Sequence, residues 1–463
     1  MHKTEAGCSE RPVHDRVMDQ AMTQSSSVAQ SKASSPKVSA PVRAVFVIQK
    51  LAGLSGGAER VFIETAEAMA ARGFCVRFIS LDSDPSGPLA FGQGRVPVTS
   101  VMPAWLQCRA ARRAKTALSR SGHPAGRSKM ERMGKAIPNI FPLTHLKWHL
   151  THGMFERALA KDLRRAPADV IVAFLPPAIT SATRAGARLG IPVIASTHNV
   201  PDLDFGDSDR WDQNPIYRAR ARDALSLVAR VTILQSKFQK WFGADVLAKV
   251  TVLPNPVSRL CSLAESPPER GAVILGVGRL TWIKRWDLLI QAFASVSTQL
   301  PDWSLRIFGS GPERGPLEAR ISALKLEDRI AILPPKPGIG EEYDRASILV
   351  HPSEFEGFGL SVAEAMAHGL PVIAFADCDG VNDLLEDNHS GLLLERSHED
   401  QENVRNLGQA MLHLAQNADL RTRLGSQATA ITKRFDRAAI HDIWAQLLHE
   451  VAASKGDPRH ELE

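Results

Sequence analysis

The chain twice repeats one alternation: a short apolar run, a turn, then a stretch with helical spacing. In the first series the apolar runs fall at residues 45–48, 76–80, 170–175, 193–196 and 231–234. In the second they fall at 273–277, 305–308, 330–333, 348–350 and 372–375. Runs of this kind with helices between them predict parallel sheets covered on both faces, an α/β fold wound twice. The opening unit is the most explicit. Residues 45–48 read as a buried strand, 51–57 as a glycine-bearing loop, and 58–71 as a helix with Val61, Phe62, Thr65 and Met69 on one face.

The 463 residues suit two domains of about 200 residues each plus a tail. We place a disordered serine-rich tail over 1–40, a first domain over 41–261, a hinge over 262–271, a second domain over 272–430, and a closing helical segment over 431–455. The hinge holds Glu265, Ser266, Pro267, Pro268, Glu269 and Arg270 with no apolar period. The closing helix, 437–452, carries Ile440, Ile443, Trp444, Leu447, Leu448 and Val451 on one face and must cover something. Hydrophobic residues at 44% and charged residues at 23% are globular values. No apolar stretch approaches the ~18 residues of a membrane helix; the nearest, 169–179, is broken by Pro176 and Pro177. Five scattered cysteines, never in Cys-x-x-Cys spacing, suggest neither a disulfide framework nor a zinc site. With no signal-peptide core in the tail, a reducing cytoplasm is the expected location.

Residues 351–374 carry the chemistry. Two carboxylates, Glu356 and Glu364, flank the turn Gly357-Phe358-Gly359, after which a helix opens near Leu360. A helix start after a glycine turn offers unpaired N–H groups and partial positive charge, which suits a phosphate. Carboxylates on either side can accept hydrogen bonds from hydroxyls, such as those of a sugar and a ribose. The implied ligand is a sugar nucleotide. Ser361 to Glu364 also fits a capping box, which satisfies a helix start with no ligand at all. After the run at 273–277, Gly276 and Gly278 invite a dinucleotide reading, but the third glycine would have to stand at Thr281, so that fingerprint fails.

The run from Glu356 to Glu364, two glutamates with seven residues between them, resembles the donor-site signature of retaining glycosyltransferases of family 4. The resemblance implies a GT-B fold: two facing Rossmann-like, doubly wound parallel-sheet domains with a C-terminal crossover helix. It extends to Arg279 and Lys284, similar to that family's diphosphate-binding pair, and to Ser55-Gly56-Gly57-Ala58-Glu59, similar to its glycine loop facing the donor phosphate. It extends further to His198 in Ser196-Thr197-His198-Asn199, similar to the family's cleft histidine. Leu253-Pro254-Asn255-Pro256-Val257 resembles the interdomain segment, and Leu305 to Glu313 the strand and glycine turn beneath the base, near 334–336. One departure is Arg285, where that family often has glycine.

By this resemblance the chain moves a sugar from a nucleoside diphosphate sugar to a hydroxyl of a glycan or lipid-linked acceptor, with retention, in cell-surface polysaccharide or lipopolysaccharide synthesis. Arg279, Lys284 and amides near Gly359 and Leu360 would stabilise the departing diphosphate. Glu356 would orient the sugar, Glu364 hold the ribose, and His198 touch sugar or acceptor. No metal or other cofactor is expected. Gly56, Gly57, Gly357 and Phe358 complete the expected donor pocket. Residues from about 105 to 165 are strongly basic, with only Glu131, Glu156 and Asp162 as acids after Arg109, and are partly amphipathic. That suits an anionic membrane surface, with a peripheral place on the inner face of the cytoplasmic membrane, or simply a solvated loop. No nucleic-acid motif accompanies the charge. A sugar-nucleotide epimerase of the same fold and an inactive polysaccharide-assembly scaffold are the alternatives. Base, sugar and acceptor are not legible.

Overall fold

The computed structural model describes residues 40–51, 56–81, 96–101, 143–206, 214–260, 269–336 and 338–455. The serine-rich tail, most of the basic stretch, Ser55 and most of the hinge lie outside them.

Among the described residues the first sheet has seven strands: β1 (Arg43–Ile48), β2 (Cys75–Ser80), β3 (Val98–Ser100), β4 (Val170–Phe174), β5 (Val193–Ser196), β6 (Arg230–Ile233) and β7 (Val250–Val252). They lie in the order β3-β2-β1-β4-β5-β6-β7, and every pairing is parallel. The second sheet has six: β8 (Val273–Val277), β9 (Ser304–Phe308), β10 (Ile330–Leu333), β11 (Ile348–His351), β12 (Val372–Phe375) and β13 (Gly391–Leu394). Their order is β10-β9-β8-β11-β12-β13, again all parallel. Both sheets belong to one unit, Val42–Glu463. The fold is α/β, two Rossmann-like parallel-sheet domains.

Central strands are apolar on both faces because helices cover both; β4 (Val-Ile-Val-Ala-Phe) is buried at all five positions. The second domain has its own core, in which Trp286, Phe293, Leu305 and Met411 are buried together. Strands β3, β7 and β13 were absent from the expected series. Each is short and sits at a sheet edge, and β3 and β7 are only half-buried, so neither needs an apolar run. The apolar stretch 169–179 is β4 followed by helix Leu175–Ala187, with Pro176 and Pro177 in its first turn, where their missing N–H groups break nothing. Among the described residues no helix is long and apolar enough to cross a membrane.

In each sheet the strand order reverses once, between β1 and β4 and between β8 and β11, and ligands of doubly wound folds bind beyond the carboxyl ends at such points. The glycine loop follows β1, the Arg279 loop follows β8, and the Glu356 turn follows β11. Helix Arg437–Ala453 leaves the second domain and packs on the first. Arg72 donates to Asp442 at 3.0 and 2.8 Å, Trp444 stacks near Phe174, and Lys455 donates to the Ala168 carbonyl at 2.7 Å. This is the crossover helix.

Candidate functional site

Lys284 and Glu356, expected as diphosphate and sugar contacts, form an ion pair between Nζ and Oε1. Each sits at the end of a turn that follows a strand bordering the reversal point, which is why residues 72 positions apart meet. His351, at the end of β11, places Nε2 2.9 Å from the same carboxylate oxygen and 3.0 Å from Ser353 Oγ. Burial and the neighbouring Lys284 cation push the His351 pKa well down, so the ring is neutral and Glu356 keeps a single cationic partner here. Arg279 is exposed, and Trp286 Nε1 donates to its carbonyl at 2.9 Å. Its charge acts across the cleft on Glu59 of the first domain.

Glu59 lies three residues past Gly56, the N-cap of helix Gly57–Ala71. Burial raises its pKa, opposed by its own backbone N–H and by Arg279. An acid at this helix start complements the dipole where the resemblance places a donor phosphate. Gly57 faces Leu360 closely: a Cβ built there would lie 3.4 Å from Leu360 Cδ2. The first turns of two helices, one per domain, therefore look at each other.

The helix Leu360–Ala367 has Gly359 as its N-cap, at φ +76° and with no side-chain cap bond. The capping-box reading of Ser361 and Glu364 fails, since Ser361 lies inside the first turn and is not the N-cap. Glu364 is 4% exposed and bound from two sides. Arg60, from the first domain, forms an ion pair with Oε1, and the Tyr343 hydroxyl donates to Oε2 at 3.0 Å. Burial raises the Glu364 pKa, while Arg60 and Tyr343 pull it back.

At Gly357 the backbones of the two domains lie close together. A Cβ there would lie 2.5 Å from the His198 carbonyl oxygen and 2.7 Å from Asn199 Cα, so any side chain would push the domains apart. His198 thus reaches the site through its backbone. Its ring stacks on Phe174 at 4.3 Å, with Nε2 2.9 Å from Ser196 Oγ. Burial pushes its pKa down to about 3 despite Asn255. Phe358 is also turned inward, edge-on to Phe435 at 5.2 Å. Of the expected residues, Gly56, Gly57, Leu360 and Glu364 gather at one facing pair of helix starts, and Lys284, Glu356, Gly357 and Gly359 at the adjoining turns. The imidazole of His198 and the ring of Phe358 point into the protein.

Two family descriptions divide the chain between them. Residues 55–259 match Glycosyltransferase Family 4, and residues 264–430 match Glycosyl transferases group 1, so the matched span from 55 to 430 omits only 260–263. The chain belongs to glycosyltransferase family 4. It is 28% identical over 327 residues to an exopolysaccharide phosphotransferase of Streptomyces coelicolor, covering 68% of this chain and 32% of that protein. It thus spans about a third of that relative's length. Sucrose-phosphate synthase from Thermosynechococcus elongatus superimposes with a TM-score of 0.68 at 18% identity, covering 89% of this chain and 100% of that one. Anabaena HepE in complex with UDP and glucose gives 0.63, also at 18% identity, over 88% and 100%. These likenesses establish the GT-B fold.

In this family 4 chain, several contributors escaped the sequence reading. Arg60 follows the glycine loop directly, but only its ion pair with Glu364 distinguishes it from an ordinary helix arginine. Tyr343 and His351 stand 21 and 5 residues before their glutamates, at spacings with no motif. For His351 the signal was present, because it ends the apolar run that delivers the turn.

Four histidines of this chain have depressed pKa values with burial as the largest cause: His198 to about 3, His441 to about 4, and His351 and His368 in the same direction. The folded protein therefore binds fewer protons than the unfolded chain near pH 6. The stability these groups contribute is complete above the ordinary histidine value of about 6.5 and is lost as pH falls below it. Glu59 and Glu364, raised by burial, act in the opposite sense. Melting temperature is expected to drop between pH 7 and pH 5; a flat profile would contradict this assignment of neutral histidines.

Proposed function

We propose that this family 4 protein transfers a hexose from a nucleoside diphosphate sugar to a hydroxyl of a glycan or lipid-linked acceptor, with retention of configuration. The observation that carries the reading is the Lys284–Glu356 pair at the carboxyl end of the second sheet, beside two helix starts that face one another from the two domains. A cation, an acid and unpaired amides in one cleft match the three parts of an activated sugar: its phosphates, its hydroxyls and its developing leaving-group charge. Lys284 and Arg279 supply the positive charge at the diphosphate, so no metal is assigned. Glu356 takes a sugar hydroxyl. Glu364, held by Arg60 and Tyr343, is the ribose carboxylate. No residue is assigned as a covalent nucleophile; the acceptor hydroxyl attacks from the face the diphosphate leaves. Domain closure excludes water and limits hydrolysis.

Polysaccharide synthesis is the setting we favour, supported by the name of the Streptomyces relative. Helix His152–Arg165 exposes Arg157, Lys161, Arg164 and Arg165, and the helix before it exposes Leu143 and Leu146. Cations beside leucines suit an anionic membrane at up to about 1 kcal/mol per cation, which supports a peripheral position at the inner face of the cytoplasmic membrane. A panel of nucleotide sugars, headed by UDP-glucose because HepE was solved with UDP and glucose, tests the donor. A ligand at a hundred times its dissociation constant adds about 2.7 kcal/mol of stability. Product analysis with and without acceptor then separates transfer from epimerisation. Stabilisation by no nucleotide sugar would overturn the reading.

A further inference from the structure

Arg285 stands in a left-handed backbone conformation, φ +48° and ψ +40°, between the turn that carries Lys284 and the helix Trp286–Val296. Glycine adopts this conformation without steric cost and arginine does not, so something in the fold must hold Arg285 there. Its guanidinium meets carboxylates from three segments. Nε lies 3.3 Å from Asp287 in the following helix, Nη1 2.5 Å from Glu354 in the turn after β11, and Nη2 2.6 Å from Asp400 at the start of helix Asp400–Gln416. These partners raise its pKa against the cost of burial.

The tie has a direction. Glu354 lies two residues before Glu356, and Arg285 one residue after Lys284, so the ion pair Arg285–Glu354 joins the same two turns as the ion pair Lys284–Glu356. The backbone reinforces it: Glu354 N donates to the Ile283 carbonyl at 2.9 Å. From the far side, Arg396 Nη2 donates to the Ser353 carbonyl at 2.7 Å. The inner pair has to open when Lys284 turns to a phosphate and Glu356 to a sugar hydroxyl. The outer pair makes no such exchange.

We infer that Arg285 is a positioning residue, whose fork on Glu354 and Asp400 holds the Lys284 and Glu356 turns at donor-binding separation once the ligand breaks their mutual ion pair. The inference rests on the donor reading above. It assigns a task to the one position where the chain departs from the family's frequent glycine: the side chain replaces backbone ease with a three-way clamp. An arginine serves because its planar fork spans two carboxylates at once, which a single ammonium does not.

The test is calorimetric titration of the full chain with UDP, GDP and ADP, followed by the variants Arg285→Gly, Glu354→Gln and the double variant, using whichever nucleotide binds. Arg285→Gly keeps the backbone conformation and removes the clamp, and is expected to weaken the nucleotide about tenfold, in line with the sensitivity of such sites to small displacements. Glu354→Gln alters the other end of the tie, together with a longer 3.8 Å pair to Arg396, and should weaken binding in the same direction. The double variant should bind no worse than Arg285→Gly alone, because the Arg285–Glu354 pair that Glu354→Gln removes is already gone there. Wild-type affinity in both single variants, or strictly additive losses in the double, overturns the clamp while leaving the donor site standing. Failure of the unaltered protein to bind any of the three nucleotides overturns the donor reading and the clamp with it.

Discussion

Glu356→Gln is expected to lower kcat/KM for transfer by about two to three orders of magnitude, the range seen when one preorganised electrostatic contact is removed from a reacting centre. The substitution keeps shape and removes charge. Lys284 loses the anion it faces, His351 meets an amide in place of a carboxylate oxygen, and on the function proposed above the donor sugar loses a carboxylate acceptor. The fold should survive, because Glu356 lies in a turn, keeps some solvent access, and its neighbours Gly357 and Phe358 hold the backbone by packing. Steady-state kinetics beside a thermal melt separates the effects. Transfer at the unaltered rate would remove Glu356 from the reaction, and a collapse of melting temperature would make its role structural.

Arg60→Ala should be the most destabilising single change at the site, by about 3–5 kcal/mol, because it leaves the buried Glu364 carboxylate without its counter-ion. The loss should depend on pH in a defined sense. Burial already holds the Glu364 pKa above that of the unfolded chain, and removing Arg60 raises it further. Below about pH 4.5 the acid is protonated in both states and the variant carries no uncompensated charge. As pH rises through the elevated folded value, the folded state must either bury a lone carboxylate or keep a proton that the unfolded chain has released. The gap in melting temperature between the unaltered protein and Arg60→Ala should therefore be wider at pH 8 than at pH 5. Equal gaps would mean that Arg60 acts by packing alone.

This pair also joins the domains. Arg60 belongs to the helix after β1 and Glu364 to the helix after β11, so the carboxylate assigned to the ribose is set by a residue of the opposite domain. Lys237 extends the same logic at the edge of the interface, lying 3.5 Å from Asp379 and 3.3 Å from Asp383, while Gln235 donates to the Gly380 carbonyl at 3.2 Å.

Much of this architecture was legible in order along the chain. A buried parallel strand must be apolar at every position, and an amphipathic helix must repeat near 3.6 residues, so β1, β4, β8, β11 and the closing helix announce themselves locally. Edge strands need not, because one open flank admits threonine and serine, as in β3, although the edge strand β10 is apolar enough to be read. The Glu356 and Lys284 turns were readable for a related reason: glycines and charges that follow a strand have nowhere to go except the end of a sheet.

Which charges meet was decided only by the folded chain. The sequence by itself determined that two doubly wound sheets would form, and that Arg279, Lys284 and Glu356 would lie at the carboxyl ends of the second. It held nothing to say that Arg60 would reach Glu364, that Arg285 would bind three acids, or that His198 would turn its ring toward Phe174 and offer only backbone to Gly357. Secondary structure follows from local periodicity and sterics, whereas the partner of a charged side chain depends on the packing of whole domains, which brings together residues hundreds of positions apart.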